Sequence, residues 1–180
     1  MLYFKRYELH LLIMNIKTVE NDKVFKMYFL WKELNILIKE NYTRGVNLHE
    51  AITENLCCII NGYILHAAEG GSEDAITLIG LKVQVKGTSN FNDDLTSFGP
   101  NSKFDILEFL RLDQINDIFY CYRIPLEDLK NIYVNKNETF FDMQKSGKRP
   151  RFSIIRKIIN EKNYDYYARI DMKTGEVNFK

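Results

Sequence analysis

A chain of 180 residues that is 46% hydrophobic and 27% charged has the length for one domain with an ordinary buried core, and its composition excludes disordered and collagen-like classes. A net charge of +1 excludes a uniformly basic nucleic-acid coat, so any phosphate contact must come from a local patch. The three cysteines (Cys57, Cys58, Cys121) form neither a disulfide framework nor a zinc spacing and read as buried reduced thiols; His10, His49 and His66 lack metal-ligand spacing.

The N-terminal "MLYFKRYELHLLIMNIK" alternates roughly and is broken by Lys5, Arg6, Glu8 and His10. It reads as a β-strand, not as a membrane span or a cleaved leader, which places the chain in the cytoplasm. "NDKVFKMYFLWKELNILIKENY" carries Val24, Met27, Phe29, Trp31, Leu34, Ile36 and Leu37 at helical spacing, with Asn21 or Asp22 near its cap. A second helix is expected over "NLHEAITENLCCIINGYILHAA", with Asn47 as N-cap, Glu50 in capping-box position and a stripe of Ile52, Leu56, Ile59 and Tyr63. Two strands, about 74–79 and 81–87, follow as an antiparallel hairpin around Gly80, then the polar loop "SNFNDDLTSFGPNS".

"KFDILEFLRL" is nearly continuously apolar, as a central strand is, and "DIFYCYRI" is an aromatic-rich strand. "PLEDLKNIYV" begins with proline and suits a short helix, "FSIIRKIINEK" a further helix, and "YDYYARIDMKTGEVNF" a terminal hairpin turning at Lys173–Gly175. This order makes a single α/β domain over 1–180, a mixed sheet with helices on its faces. Charge is unevenly spread. Residues 90–142 hold ten acids against five bases, whereas 144–162 hold seven bases and one acid, a candidate phosphate footprint.

The chemistry concentrates in "DAITLIGLKVQVKGTSNFNDD". In a strand Gln84 and Lys86 project to one side while Val83 and Val85 face packing, and a hairpin brings Asp74 to the same end of the sheet. Such a group fits phosphodiester hydrolysis with Mg²⁺, which takes hard oxygen ligands and keeps several waters. Asp74 can supply a carboxylate, Gln84 an amide oxygen and Val85 its backbone carbonyl, while Lys86 can orient the attacking water and offset negative charge. Glu54, one turn after Glu50 on the preceding helix, is a second acid within reach; either glutamate could serve.

The order acidic helix, Asp, hairpin, x-x-Lys, apolar strand resembles the PD-(D/E)xK nuclease superfamily, in which some members carry Gln at the second position. More narrowly, "WKELN", "TRGVNLHEAITE", "VKGTSNFNDDLTSFGP", "FDILEFLRLD" and "GKRPRFSII" resemble the small type II restriction endonucleases that cut GCNGC, over about Val24 to Ile159. The resemblance implies a restriction-endonuclease-like fold and Mg²⁺-dependent cleavage of double-stranded DNA. It implies catalytic roles for Asp74, Gln84 and Lys86, with Glu54 assisting. Ser89, Asn90 and Asn92 follow the catalytic strand and are candidates for DNA contact or for ordinary loop hydrogen bonds. Lys148, Arg149 and Arg151, extended around Pro150, are expected to touch bases or phosphates. A palindromic target implies a homodimer, and a restriction system implies a cognate methyltransferase elsewhere. Two other readings remain: a junction, repair or transposition nuclease with the same core, and a non-catalytic DNA-binding domain on its scaffold.

Overall fold

The computed structural model describes residues 21–66 and 73–180, so the expected N-terminal strand lies outside the described residues. Helices α1 (Asn21–Lys39) and α2 (Glu50–Asn61) precede a seven-stranded mixed sheet in the order β1-β2-β3-β5-β6-β8-β9. Its strands are β1 (Ile64–Leu65), β2 (Ala75–Ile76), β3 (Lys82–Thr88), β5 (Ile106–Asp113), β6 (Ile118–Pro125), β8 (Ala168–Asp171) and β9 (Val177–Phe179). Only β3 and β5 pair in parallel; every other neighbour is antiparallel. A separate ribbon joins β4 (Thr96–Ser97) to β7 (Arg151–Phe152), and α3 (Leu126–Lys130), α4 (Phe140–Lys145) and a π-helix (Ile155–Asn160) complete the described elements. The mixed sheet flanked by helices is the expected architecture, with β5 central as its apolar run requires.

Strands β5 and β6 send buried residues to both faces of the sheet. Val83, Val85, Leu110, Leu112, Phe119 and Cys121 pack with Val24, Tyr28, Ile52, Leu56 and Cys57 beneath α1 and α2. Leu107, Phe109, Tyr122 and Ile124 pack on the other side with Phe140, Phe152 and the isoleucines of the π-helix. The three cysteines are free and buried, as their spacing indicated.

Several expectations need correction. On α1 the buried residues are Val24, Tyr28, Trp31 and Asn35, while Phe29, Leu34, Ile36 and Leu37 are exposed: the apolar residues wrap the helix, and only one face meets the sheet. On α2 the N-cap is His49, whose Nδ1 accepts from the Ala51 N–H at 3.1 Å, not Asn47. The Trp31 indole N–H donates to the carbonyls of Val46 and Asn47 (3.1 and 3.0 Å), which holds that pair extended ahead of the helix. The helix then stops at Gly62, whose φ of +64° turns the chain away, well before the end of the apolar run. Ile59 is exposed, and Cys57 takes its place in the core.

The "SNFNDDLTSFGPNS" stretch is more than a loop. Its β4 pairs with residues far along the chain, and Asp94 caps the π-helix, accepting from Ser153 Oγ (2.8 Å), Ile154 N (3.0 Å) and Ile155 N (2.9 Å). "FSIIRKIINEK" winds as this π-helix in place of an α-helix, and the short helix expected from Pro125 forms as α3, with that proline as its N-cap. The C-terminal hairpin forms as expected.

Candidate active site

Strand β2 is two residues long, so it covers only the start of β3 and leaves the rest of that edge open. Asp74, just before β2, fills the first open position. Its backbone N–H donates to the Val83 carbonyl (2.8 Å), and its carboxylate accepts from the Val85 N–H (2.6 Å). A residue's N–H and C=O share one edge of a strand, so the Val85 carbonyl faces this opening too.

Helix α2 packs across the same edge. A Cβ on Gly87 would lie 2.5 Å from Thr53 Cγ2, so the glycine is what lets the helix and strand approach this closely. Together they enclose a pocket of about 330 Å³ lined by Leu48, Glu50, Thr53, Glu54, Asp74, Val85, Lys86 and Gly87. With His49 as N-cap, Glu50 is the first residue of the helix and not the capping-box residue expected, and it lines the pocket.

The pocket is acidic and partly dry. Glu54's carboxyl is pushed from its ordinary 4.5 to about 7 by burial first, then by the charges of Asp74 and Glu50, with Lys86 opposing. Asp74 is also raised by burial, against the Val85 N–H, Lys86 and Gln84, which lower it. Cys58, on the inner side of α2, feels the same field: burial and then Glu54, Asp74 and Glu108 push its thiol up to about 12. Lys86 is therefore within electrostatic reach of both acids.

Gln84 is 6% exposed and does not line the pocket; its amide N–H donates to Asp74 Oδ2. It holds the carboxylate from behind, a role that strand alternation alone did not indicate.

The oxygen donors here are the carboxylates of Asp74 and Glu54, with Glu50 at the rim, a backbone carbonyl and, behind Asp74, an amide. Among the described residues no group of three or more His, Cys, Asp or Glu side chains forms a metal cage. A hard cation that keeps most of its waters suits this sparse oxygen set, whereas zinc does not.

The DNA-contact candidates lie outside the pocket. Ser89, Asn90 and Asn92 line a separate cleft next to it, and the Asn90 side chain accepts from the Asn92 N–H (3.1 Å). Lys148 is paired with Glu138 (2.6 Å), while Arg149 and Arg151 are exposed and have no acidic partner among the described residues. Pro150 is buried, and its carbonyl accepts from the Phe98 N–H (2.9 Å), so this segment is extended and bound to the loop that leaves β3. Arg156 ties the same regions together through a two-point contact with Asp93 (3.0 and 2.9 Å).

Residues 16–161 match the family of the Bsp6I restriction endonuclease. The chain belongs to that family. The chain is also 42% identical over 158 residues to the type II restriction enzyme Bsp6I of Bacillus sp. (strain RFL6), covering 87% of this chain and 90% of that one. The Bsp6I family match includes the acid pocket, the adjoining cleft and the basic ribbon. No helix among the described residues is long and apolar enough to cross a membrane.

Proposed function

We propose that this restriction endonuclease is a Mg²⁺-dependent type II enzyme of the PD-(D/E)xK kind that hydrolyses both strands of double-stranded DNA at GCNGC. The observation that carries the chemistry is the pocket itself, with Asp74, the Val85 carbonyl and Lys86 at one open strand edge and Glu54 across it on α2. Asp74, Glu54 and the Val85 carbonyl would hold Mg²⁺, and Gln84 keeps Asp74 in place while its amide oxygen remains a neutral donor. Mg²⁺ supplies positive charge to the reacting phosphate and lowers the pKa of the attacking water. Lys86 orients that water and offsets the charge that develops on the phosphate oxygens. The glutamine thus alters the site without abolishing it, since its amide donates where a second carboxylate would repel.

Lys148, Arg149 and Arg151 contact DNA from the ribbon. The reading places the protein in the cytoplasm, with a methyltransferase protecting host sites.

A palindrome cut on both strands calls for two pockets related by a twofold axis, hence a homodimer. The outer face of α1, with Phe29, Leu30, Leu34, Ile36 and Leu37 all at least 40% exposed, is the surface for the second copy.

The test is digestion of unmethylated plasmid by purified protein with Mg²⁺ and with EDTA, beside Lys86→Ala. Discrete fragments that require Mg²⁺ and Lys86, with ends mapping to GCNGC, support the reading. Intact plasmid, with DNA binding retained by both proteins, moves it to a non-catalytic scaffold.

A further inference from the structure

A cleft of about 730 Å³ opens at the end of the sheet where β3 terminates. Two segments line it and the acid pocket in turn. Residues 44–47 and 89–92 line the cleft, and the residues that adjoin them, from Leu48 to Glu54 and from Val85 to Gly87, line the pocket. The two cavities are successive stations along one surface.

The cleft has a built floor. The Val46 N–H donates to Asn35 Oδ1 (2.9 Å), Asn35 Nδ2 donates to Gln114 Oε1 (3.1 Å), and Gln114 Nε2 donates to the Ser89 carbonyl. This amide relay joins the α1–α2 connection, the β5–β6 turn and the loop after β3. Asn35 is only 3% exposed, and a Cβ on Gly45 would lie 1.9 Å from its Oδ1, so the connection cannot sit this close with any other residue there. The same turn is anchored to α1 by Asp117, which accepts from the Tyr28 hydroxyl (2.6 Å) and pairs with Lys32.

The rim differs from the floor. Lys39, Arg44, Asn47, Asn90 and Asn92 are all exposed. The acid in the wall, Asp113, is occupied by the turn that follows it, accepting from Ile115 N (2.9 Å), Asn116 N (3.2 Å) and Asn116 Nδ2 (2.7 Å). Two cations and three amides around a neutral floor suit a polyanion with hydrogen-bonding edges better than they suit an apolar ligand.

We infer that this cleft is a recognition site for the DNA next to the scissile phosphate. Lys39 and Arg44 grip phosphates, while Asn47, Asn90 and Asn92 present amides to base edges. Asn35 and Gln114 are positioning residues that fix the two reading segments relative to each other. Ser89 lies three residues past Lys86, about 10 Å at the rise of a strand. At about 3.4 Å per base pair, the cleft addresses about three base pairs beside the cut. This inference rests on the nuclease reading for its register, and on the cleft alone for its binding.

The experiment measures binding of the intact protein to a short duplex carrying GCNGC, with Ca²⁺ in place of Mg²⁺, across a range of salt. Lys39→Ala with Arg44→Ala should weaken binding at least about 10-fold and flatten the salt dependence by about 2 in log–log slope, one for each phosphate contact. Lys130→Ala, remote and paired with Glu127, should change neither. Gln114→Glu keeps the acceptor for Asn35 but loses the donor to Ser89. It should narrow the preference for GCNGC over a one-base mismatch about 5-fold or more, within the range that one base contact supplies. A structural role alone would lower thermal stability without touching that ratio. Wild-type affinity and slope in the double variant, with both lost on replacing Arg149 and Arg151, overturns the inference. Tight, salt-dependent binding through Lys39 and Arg44 without any cleavage in Mg²⁺ would instead uphold the cleft and reject the nuclease reading.

Discussion

Replacing Glu54 by glutamine removes a half-buried negative charge from the pocket while keeping its shape. Burial first, then the charges of Asp74 and Glu50, raise Glu54's carboxyl from its ordinary 4.5 to about 7, so the fold favours the neutral acid below that pH. Glu54 therefore costs nothing below pH 4.5, and the wild-type protein loses stability as the pH rises from there through about 7. The full span between those two values corresponds to about 3 kcal/mol, and the solvent-facing side of the carboxylate reduces this to about 1–2 kcal/mol. Glu54→Gln should thus gain on wild type by about that much between pH 5 and pH 8 in EDTA, read by urea unfolding at each pH. Excess Mg²⁺ should close the gap at pH 8 by stabilising wild type alone, because the cation needs the ionised carboxylate. A stability difference that stays flat from pH 5 to pH 8, or Mg²⁺ stabilising both proteins equally, would refute the proposal that Glu54 is a cation ligand in a charged pocket.

Three further outcomes follow from other parts of the molecule. Gln84→Glu takes away the amide donor to Asp74 and sets two carboxylates together, so the metal-free protein should lose about 1–2 kcal/mol at neutral pH. Mg²⁺ should raise the Tm of this variant more than that of wild type, which differential scanning calorimetry reads directly. Asp94→Ala removes three hydrogen bonds at the start of the π-helix and should cost about 2 kcal/mol or more in urea unfolding. Leu30→Glu should convert a dimer to a monomer in sedimentation velocity without lowering Tm by more than a few degrees; a dimer that survives this change lies on another face.

The central part of the fold was open to sequence reading because its signals are local. The apolar run from Phe104 to Leu112 marks a strand buried on both faces, and short connections fix the neighbours of β3 and β6. What escaped depends on distant partners. Nothing near Thr96 announces its pairing with Phe152, and Asp94 looks like any loop acid until Ser153 and Ile155 arrive beside it. The site divides in the same way. Asp74 and Lys86 stand out by spacing, whereas the inward turn of Gln84 depends on where Asp74 ends up. Asn35 and Gln114 carried no signal at all, since two amides 79 positions apart become a relay only once α1 lies over the β5–β6 turn. "TRGVN" stood out as a motif, and its Arg44 and Asn47 owe their position to that relay.

The contact between Gly87 and Thr53 has a consequence for how such an enzyme diversifies. Neither residue carries a charge, yet their closeness sets how far the helix acids stand from the strand acid. The aperture between the acids is thus fixed by a hydrogen atom against a methyl group, not by the acids themselves. A single added carbon at position 87, or one removed at position 53, would widen or relax that aperture with every acid still in place. Two small uncharged residues can thereby change the spacing of the acids while every acid stays in place.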